Sequence, residues 1–425
     1  MKKYKKYNDS GIEFIGKIPE DWVVQRLNNV GKFSSSGIDK KTLPDQPIVK
    51  MINYTDVYGN ERRILDNKKE YMVVSATKEQ KENHGVQKGD LIFTPSSETE
   101  ADIGVSALVD CELPDTVFSY HVLKFKFEKE VNHNFKKYLC NNYNVLYQFS
   151  ARCKGTTRQI LGRDEFKNTL IILPPIQEQK AIAEFLDNQT QILDWLVEKR
   201  KQMVELLKEE RTAIINQAVT KGINPTTKMK DSGIDWVGEI PEHWKVKRLK
   251  YLAEIETGGK DTINREEDGK FPFYVRSMVV ERINSFSFDG EAVLTAGDGV
   301  GVGEVFHYVN GKFDFHQRVY SISNFKEILG KYFYYFIKEN LPKEIIKHNA
   351  KSTVDSLRLP MFKSFRVAYG TREEQEEIVK YIETETAKID KTLLKIEKEI
   401  ALLDEYKTAL ISEAVTGKID VRVVA

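Results

Sequence analysis

The chain has 425 residues, 40% of them hydrophobic and 30% charged, which is enough of both for buried cores and a hydrated surface. No apolar run approaches about 18 residues, so we expect no membrane span, and the basic N-terminus lacks the apolar stretch of a secretory signal. Its three cysteines, Cys111, Cys140 and Cys153, have no CxxC spacing, which argues against a disulfide framework or a zinc site and predicts a reducing, cytoplasmic location.

The net charge of +1 is distributed unevenly along the chain. Two long segments are basic, with a net charge of +4 over residues 1–174 and +2 over residues 223–369. Two short segments are acidic, with −1 over residues 175–222 and −4 over residues 370–425. We interpret the long segments as two domains and the short ones as two long helices, the second followed by a C-terminal tail. A bound polyanion would therefore contact the two domains.

The chain contains an internal repeat. Residues 9–27 and residues 231–249 are identical at twelve of nineteen positions, and residues 209–223 and 405–419 at eight of fifteen. The offset between the copies is 222 at the first pair and 196 at the second, so the second copy is 26 residues shorter. The difference must lie in the middle of the repeat.

The middles of the two copies match only in outline. Residues 88–94 align with residues 289–295, and both indicate a glycine turn followed by a short apolar strand. Residues 119–121 align with residues 314–316, histidine opposite histidine, ahead of another apolar strand. The two copies therefore share the sequences of their ends and differ in their middles. This pattern suits two domains that have the same framework but recognise different targets.

A long helix closes each copy. The first is expected over residues 175–220, because proline at position 175 loses no hydrogen bond in the first turn, and the second begins with a capping box from Thr371 to Glu374. Leucine and isoleucine recur every seven residues in both helices, interrupted once by Arg200 in the first, which predicts a coiled coil. The predicted seam residues are Leu186, Leu193, Leu207 and Ile214 in the first helix and Ile382, Ile389, Ile396, Leu403 and Leu410 in the second.

One such helix at the same position in each repeat favours pairing between the two over packing within separate domains. If approximate two-fold symmetry relates the repeats, the helices run antiparallel, with the domains at opposite ends of the pair. The predicted fold class is therefore mixed α+β. It consists of two tandem α/β domains, separated by two long helices that form an antiparallel coiled coil, with a pseudo-two-fold internal repeat.

Motifs for catalysis are missing from the sequence. It has no GxxxxGK[ST] phosphate loop, no HExxH pair among its seven histidines, and no Asn/Asp-Pro-Pro-aromatic loop of an amino-methyltransferase. The glycine-rich stretch 297–303 lacks the strand–GxGxxG–helix context of a cofactor loop, and we interpret it as a hairpin or a close-approach loop. We therefore expect neither catalytic residues nor a metal site in this chain.

The repeated motifs resemble those of a known family. The pattern GxIPxxWxxxRL occurs at 16–27 and again at 238–249, PPIQEQK at 174–180 begins the first helix, and AVT ends both helices at 218–220 and 414–416. As a set, these motifs resemble the specificity subunit of type I restriction–modification systems, and the resemblance extends from residue 9 to about residue 419.

This resemblance implies a target recognition domain at 1–174 and another at 223–369, joined by two helices of the coiled coil. Each domain would read one half of a bipartite, asymmetric site in double-stranded DNA. The chain itself would have no catalytic activity and bind no cofactor. Two methyltransferase subunits would dock on it and methylate adenine N6 with S-adenosylmethionine, and two motor-nuclease subunits, which use ATP and Mg²⁺, would add restriction.

Polar and basic loop residues of the two middles are the candidates for DNA contact, because phosphates attract Lys and Arg and base edges pair with polar side chains. In the first domain these candidates are Ser96, Ser97, Glu98, Thr99, Lys154, Thr156, Thr157 and Arg158. In the second domain they are Lys260, Arg276, Asp298, Gln317, Arg318, Lys351, Ser352 and Thr353.

Two other functions stay open from the sequence alone. A coiled-coil scaffold protein would not bind duplex DNA specifically, with or without a methyltransferase. A stand-alone DNA-modifying enzyme would transfer methyl groups or cleave DNA as a purified single chain.

Overall fold

The structure is a computed structural model that describes residues 2–349 and 356–422. Its contacts divide the chain into two compact units. Unit 1 comprises Met1–Lys199 and Glu399–Ala425, and unit 2 comprises Arg200–Lys398. The boundary between the units therefore falls within both long helices.

The described part of unit 1 combines fourteen short strands with five short helices, followed by the first long helix, α6. The strands are β1 (Tyr7–Asp9), β2 (Lys17–Pro19), β3 (Val23–Arg26), β4 (Gly31–Ser35), β5 (Ile48–Ile52), β6 (Ile64–Leu65), β7 (Met72–Ser75), β8 (Leu91–Phe93), β9 (Ser96–Ser97), β10 (Ser106–Val109), β11 (Thr116–Phe118), β12 (Leu123–Phe127), β13 (Gln159–Ile160) and β14 (Leu170–Leu173). The helices are α1 (Tyr54–Tyr58), α2 (Lys78–His84), α3 (Lys136–Leu139), α4 (Tyr143–Ser150), α5 (Arg163–Lys167) and α6 (Ile176–Lys221).

Unit 2 has fewer and longer strands. They are β15 (Met229–Asp231), β16 (Glu239–Pro241), β17 (Lys245–Arg248), β18 (Glu254–Thr257), β19 (Phe271–Tyr274), β20 (Glu281–Ile283), β21 (Phe288–Ala296), β22 (Phe306–Phe315), β23 (Val319–Ser323) and β24 (Arg366–Tyr369). Its helices are α7 (Gly330–Asn349), α8 (Leu359–Ser364) and the second long helix, α9 (Arg372–Val415). Three 3-10 turns, Leu27–Asn29, Leu249–Tyr251 and Thr262–Asn264, complete the described elements.

The sheets of the two units share one plan. Unit 1 has a five-stranded sheet of order β4-β12-β8-β10-β6 and a three-stranded sheet of order β11-β5-β7. Unit 2 has a single six-stranded sheet of order β18-β23-β21-β22-β19-β20. In unit 2 the long strand β22 pairs antiparallel with β21 and parallel with β19, whereas in unit 1 β10 pairs with β8 and a separate strand, β11, pairs parallel with β5. One continuous strand therefore replaces two.

The repeated N-terminal motif folds the same way in both units. Tyr7 pairs with Pro19 in the first β-hairpin, and Met229 pairs with Pro241 in the second. Both hairpins turn through two glycines in the left-handed region, with φ between 67° and 70°. Only glycine adopts this conformation without steric cost, which explains why both copies keep glycine at these positions.

A tryptophan of each motif is tied to the start of a long helix. In unit 1, Trp22 donates from its indole nitrogen to Glu178 of α6 at 3.0 Å. In unit 2, Trp244 makes the same bond to Glu374 of α9 at 2.9 Å. Both tryptophans are buried, so each anchors its hairpin to the helix with a satisfied polar group.

Each unit has its own hydrophobic core, in which the beginning of one long helix packs with the end of the other. In unit 1, Ile182 and Leu186 of α6 share the core with Leu410 and Ala414 of α9. In unit 2, a second core combines the end of α6 with the start of α9, through Ile215, Ala218 and Val219 on one side and Ile378 and Ile382 on the other. The two helices therefore run antiparallel, and the predicted mixed fold with two repeated domains and a helical pair is confirmed.

The burial of α6 has a spacing that differs from the predicted seven residues. Ile182, Leu193, Val204 and Ile215 are buried and lie eleven residues apart. Eleven residues make nearly three whole turns, so this spacing also keeps one face of the helix inward. Of the predicted seam residues, six are buried, namely Leu186, Leu193, Ile382, Ile389, Ile396 and Leu410, and three are half-buried, namely Leu207, Ile214 and Leu403.

Candidate nucleic-acid interface

In unit 1, two polar loops that are far apart in the sequence lie side by side. Strand β13 pairs antiparallel with β9. Reciprocal backbone hydrogen bonds of 3.1 and 2.9 Å between Lys154 and Ile160 close the hairpin that ends in β13. Arg158 of this hairpin donates from Nε to Ser96 Oγ at 3.0 Å. The two groups of residues predicted for the first domain therefore form one surface.

The hairpin depends on a glycine at its turn. Gly155 has φ +141°, and a Cβ atom there would lie 2.0 Å from the carbonyl oxygen of Arg158. Any other residue would clash with this backbone, so the hairpin needs glycine at this position. The turn leaves Lys154, Thr156 and Thr157 exposed, as a DNA contact requires.

Two tyrosines of α1 extend this surface. Arg158 places its guanidinium 5.2 Å from the centre of the Tyr54 ring, and Tyr54 stacks on Tyr58 with ring centres 5.1 Å apart. The Tyr58 hydroxyl donates to Asp102 at 3.2 Å, and the same carboxylate accepts the Thr99 hydroxyl at 2.7 Å. Burial and the neighbouring Tyr58 raise the pKa of Tyr54, so its ring stays neutral. No sequence motif singles out Tyr54, Tyr58 or Asp102, which lie in a short capped helix and a loop.

One predicted contact of the first domain is wrong. Ser97 is fully buried, and its hydroxyl donates to the carbonyl oxygen of Thr99. The serine therefore shapes the loop rather than facing a ligand. Its neighbours Glu98 and Thr99 are exposed, and Ser96 is half-buried beside Arg158.

In unit 2, five predicted residues converge at one edge of the six-stranded sheet. Arg276 Nη1 and Arg318 Nη1 each donate to one carboxylate oxygen of Asp298 at 2.8 Å. The backbone N–H of Gln317 donates to the carbonyl oxygen of Lys260 at 2.8 Å. Arg276 and Arg318 lie 22 and 20 residues from Asp298 in the sequence, so only the strand pairing brings them together.

A buried histidine forms a hydrogen bond with the backbone of this cluster. His316 Nδ1 accepts the backbone N–H of Arg318 at 3.0 Å, and its Nε2 lies 3.8 Å from an Asp261 carboxylate oxygen. Burial lowers the pKa of His316, so the ring is neutral at pH 7. Gln317 also donates to Asp261 at 2.7 Å. The histidine therefore positions Arg318 rather than contacting a ligand.

Three predicted residues of the second domain, Lys351, Ser352 and Thr353, lie outside the described residues. Ser356, the next described residue, forms an isolated antiparallel bridge with Asp298.

Backbone hydrogen bonds show that the two clusters occupy equivalent places. The backbone N–H of Leu161 donates to the carbonyl oxygen of Pro95 at 2.8 Å in unit 1. The backbone N–H of Leu357 donates to the carbonyl oxygen of Gly297 at 2.9 Å in unit 2. Ser96 therefore corresponds to Asp298. This corrects the alignment made from the sequence, which is off by one residue at these strands. In a β-strand such a slip exchanges the two faces, and the middles are too different for the sequence to reveal it.

A second set of bonds aligns the remaining positions. The backbone N–H of Ser119 donates to the carbonyl oxygen of Ile52 at 2.9 Å, and the backbone N–H of His316 donates to that of Tyr274 at 2.9 Å. His316 thus corresponds to Ser119, and the predicted pairing with His121 is wrong. The same alignment places Tyr54 opposite Arg276 and His121 opposite Arg318. The frame is shared, whereas the side chains at these equivalent positions differ in charge and shape.

The described part of the chain offers no group of three or more His, Cys, Asp or Glu side chains that could hold a metal ion. Among its helices, none combines the length and the apolar character needed to cross a membrane. The glycine-rich stretch 297–303 forms a loop between β21 and β22, and its Asp298 belongs to the arginine cluster.

The family model of the type I restriction modification DNA specificity domain matches residues 19–206 and 241–401. The chain belongs to this family. Both matched segments contain one of the polar clusters, so the family's domain occurs twice in this specificity protein.

Individual relatives agree with this assignment. The chain is 24% identical to the type I restriction enzyme MjaX specificity subunit of Methanocaldococcus jannaschii, across 99% of this chain and 98% of that relative. It is 29% identical to the type I restriction enzyme EcoDI specificity subunit of Escherichia coli over 182 residues, which cover 43% of this chain and only 40% of that relative.

Two solved structures share the fold. One, described under the assembly and conformational transition of the type I R-M system, has a TM-score of 0.72 at 16% identity, covering 95% of this chain and 99% of that one. The HsdS subunit of Thermoanaerobacter tengcongensis has a TM-score of 0.54 at 16% identity, covering 95% and 98%. At this identity the likeness concerns the fold alone.

Proposed function

We propose that this chain is the DNA-reading subunit of a type I restriction–modification complex. Each unit reads one half of a bipartite, asymmetric site in double-stranded DNA, and the antiparallel helices set the spacing between the halves. The observation that carries the proposal is the pair of exposed polar clusters. They occupy equivalent backbone positions in the two units but differ in their side chains, as two readers of different sequences would.

Methylation mapping with a domain exchange tests this proposal. The complete complex should methylate one bipartite motif. Replacing residues 30–170 by the matching segment of a relative should change one half of that motif and leave the other half and the spacing unchanged. An exchange that altered both halves, or a complex that methylates no defined motif, would contradict independent reading by the two units.

We propose further that catalysis resides in partner subunits. The sequence has no motif for methyl transfer or ATP hydrolysis, so S-adenosylmethionine would bind to the methyltransferase, and ATP and Mg²⁺ to the motor-nuclease. The purified chain should therefore transfer no methyl group to duplex DNA. Methylation of adenine N6 by the single chain would contradict this assignment. The complex would act in the cytoplasm, as the unpaired cysteines suggest.

Each unit has a groove that suits a methyltransferase subunit. In unit 1, a groove of about 590 Å³ lies between α4 and the end of α9, lined by Tyr143, Asp404, Glu405, Thr408, Ala409, Ser412 and Glu413. Asn144 of α4 joins its walls by a hydrogen bond of 2.9 Å to Ser412.

Unit 2 has a groove of about 410 Å³ at the equivalent place. It lies between α7 and the end of α6 and is lined by Glu205, Lys208, Glu209, Thr212, Ala213, Asn216, Glu339 and Lys343. Lys343 of α7 joins its walls by a hydrogen bond of 3.2 Å to Asn216. The repeat offset of 196 that relates the helix ends also relates Thr212 to Thr408 and Ala213 to Ala409.

A surface that occurs twice suits two copies of one partner. Acidic side chains outnumber basic ones in both grooves, three to none in unit 1 and three to two in unit 2. The partner should therefore present basic side chains to them, since opposite charges steer and orient association. We assign one methyltransferase subunit to each groove.

Substitution of the groove alanines tests the assignment. Ala213 and Ala409 are exposed on their helices, so arginine at either position blocks a groove without disturbing a core. Native mass spectrometry should show two methyltransferase chains bound to the wild type, one to Ala409→Arg or Ala213→Arg, and none to the double variant. Asn188→Arg, an exposed α6 position that lines neither groove, is the control and should keep two. Two bound chains in the double variant would place docking elsewhere.

A further inference from the structure

The arginine cluster of unit 2 has an unusual centre. Asp298 holds two arginines at once, one on each carboxylate oxygen, at 2.8 Å. The arginine side chains are 41% and 57% exposed and the aspartate 29%, so the pairs face solvent. Exposed ion pairs stabilise a protein little, because water competes for both charges. A structural role alone therefore explains this arrangement poorly.

The backbone fixes all three members of the cluster. Asp298 follows the end of β21, Arg276 follows β19, and Arg318 immediately precedes β23. The backbone N–H of Gly297 donates to the carbonyl oxygen of Arg318 at 2.8 Å, which couples two of the three loops. The carboxylate is thus held by the sheet and restricts two side chains that would otherwise sample many rotamers.

Each arginine keeps its Nε and Nη2 donors available for a ligand. Both use only Nη1 for Asp298. Within residues 2–349 and 356–422, no further side-chain hydrogen bond occupies Nε or Nη2 of Arg276 or Arg318. These two adjacent donors match the paired acceptors O6 and N7 of guanine in the major groove, the commonest base-specific contact of arginine. A phosphate would accept the same donors, but the neighbouring carboxylate would repel it.

We propose that Asp298 is a positioning residue that orients Arg276 and Arg318 to read guanines. This inference rests on the proposed function and deepens it, because it names the bases. The half-site read by unit 2 should contain a guanine for each arginine. Unit 1 has Tyr54, Ser96 and His121 at the equivalent positions, so its half-site should be recognised by a different set of contacts.

Methylation mapping of the complete complex with four variants tests the proposal. Arg276→Ala and Arg318→Ala should each relax one guanine position, with discrimination there falling by about 5-fold to 150-fold, the range for one bidentate contact. Asp298→Asn should relax both positions together. Its affinity for non-specific DNA should stay equal or rise, because a negative charge is removed. Arg276→Lys keeps the positive charge but loses the two parallel donors of the guanidinium, so it should still reduce the preference for guanine at the same position.

A matched control separates this effect from a general change in charge. Glu281 is 30% exposed and pairs with Arg265 at 3.5 Å in the same unit. Glu281→Gln should leave the motif unchanged. The half-site read by unit 1 should also stay intact in every variant, which shows that the complex still folds.

Three results would overturn the proposal. One is a wild-type motif with no guanine in the half-site that responds to these variants. Another is an arginine variant that binds all DNA sequences more weakly but keeps its base preference. Its logarithmic salt dependence of DNA binding would also fall by about one, which would indicate a phosphate contact. The third is Asp298→Asn with full discrimination at both positions. All three leave a bipartite motif, whereas failure of the proposed function would leave none.

Discussion

Replacing Glu178 by alanine should destabilise unit 1 substantially. Its carboxylate accepts the Trp22 indole N–H and the Tyr4 hydroxyl, both at 3.0 Å. It also pairs with Arg422 at 3.3 Å. The glutamate thus connects the N-terminal motif, the start of α6 and the C-terminal segment within unit 1.

The size of the effect follows from burial. Trp22 and Tyr4 are 4% and 8% exposed, so both donors stay buried without an acceptor in Glu178→Ala. Hydrogen bonds to a charged group contribute about 1.5–3 kcal/mol each, and an unsatisfied buried donor costs a similar amount. The half-exposed Arg422 adds less than about 1 kcal/mol. We expect a loss of about 2–5 kcal/mol, and about 1–2 kcal/mol for Glu178→Gln, which keeps one acceptor.

Urea unfolding of the full chain, followed by tryptophan fluorescence, measures this loss. The control is Glu184→Ala on the same helix, where an exposed pair with Lys180 at 3.8 Å should contribute less than about 0.5 kcal/mol. The methylated motif of Glu178→Ala should be unchanged wherever the complex still forms. A stability within about 0.5 kcal/mol of Glu184→Ala would refute the reasoning that this carboxylate holds the frame together.

Three further predictions concern the polar clusters. Burial lowers the pKa of His316, so this imidazole takes up a proton in the unfolded chain at a higher pH than in the folded one. Unit 2 should therefore lose stability as the pH falls below about 6.5. Urea unfolding should show a smaller loss of stability with acid in His316→Asn. Arg158→Ala should relax the half-site read by unit 1 and leave the other half unchanged, as methylation mapping would show. Gly155→Ala should lower the free energy of unfolding of unit 1 by more than about 1 kcal/mol in the same urea assay, because its Cβ would clash with the backbone at 2.0 Å; equal stability would contradict the strain argument.

The long helices could be predicted closely from the sequence. A helix was expected over 175–220, and α6 spans Ile176–Lys221. Proline at the start, periodic apolar residues and glycine at the end are all local signals, so they need no knowledge of the rest of the fold. The exact inward face is less local. Ile215 is buried although the seven-residue pattern favours its neighbour Ile214, because eleven-residue spacing fits the helix equally well.

The polar clusters could be predicted only in part. Most of the candidate residues are exposed loop residues that the strands bring together, as expected from composition and position. Ser97 shows the limit of that reasoning, because a serine that accepts or donates within its own loop has the same sequence signature as one that contacts a ligand. Tyr54 was missed for the opposite reason. It lies on a short capped helix, and only the fold places it beneath Arg158.

The comparison of the two units explains why candidate base-contacting positions are hard to find in one sequence. Residues of the frame, such as Trp22 and Trp244, are identical because each must fill the same buried place and satisfy the same donor. Under the proposed function, the positions around a base contact differ between the units, and the equivalent Ser96 and Asp298 carry a hydroxyl and a carboxylate. Similarity between the copies therefore locates the frame, and dissimilarity at equivalent hydrogen-bonded positions locates the candidates for base recognition. Because the second signal appears only after the backbones are aligned, it belongs to the structure and not to the sequence.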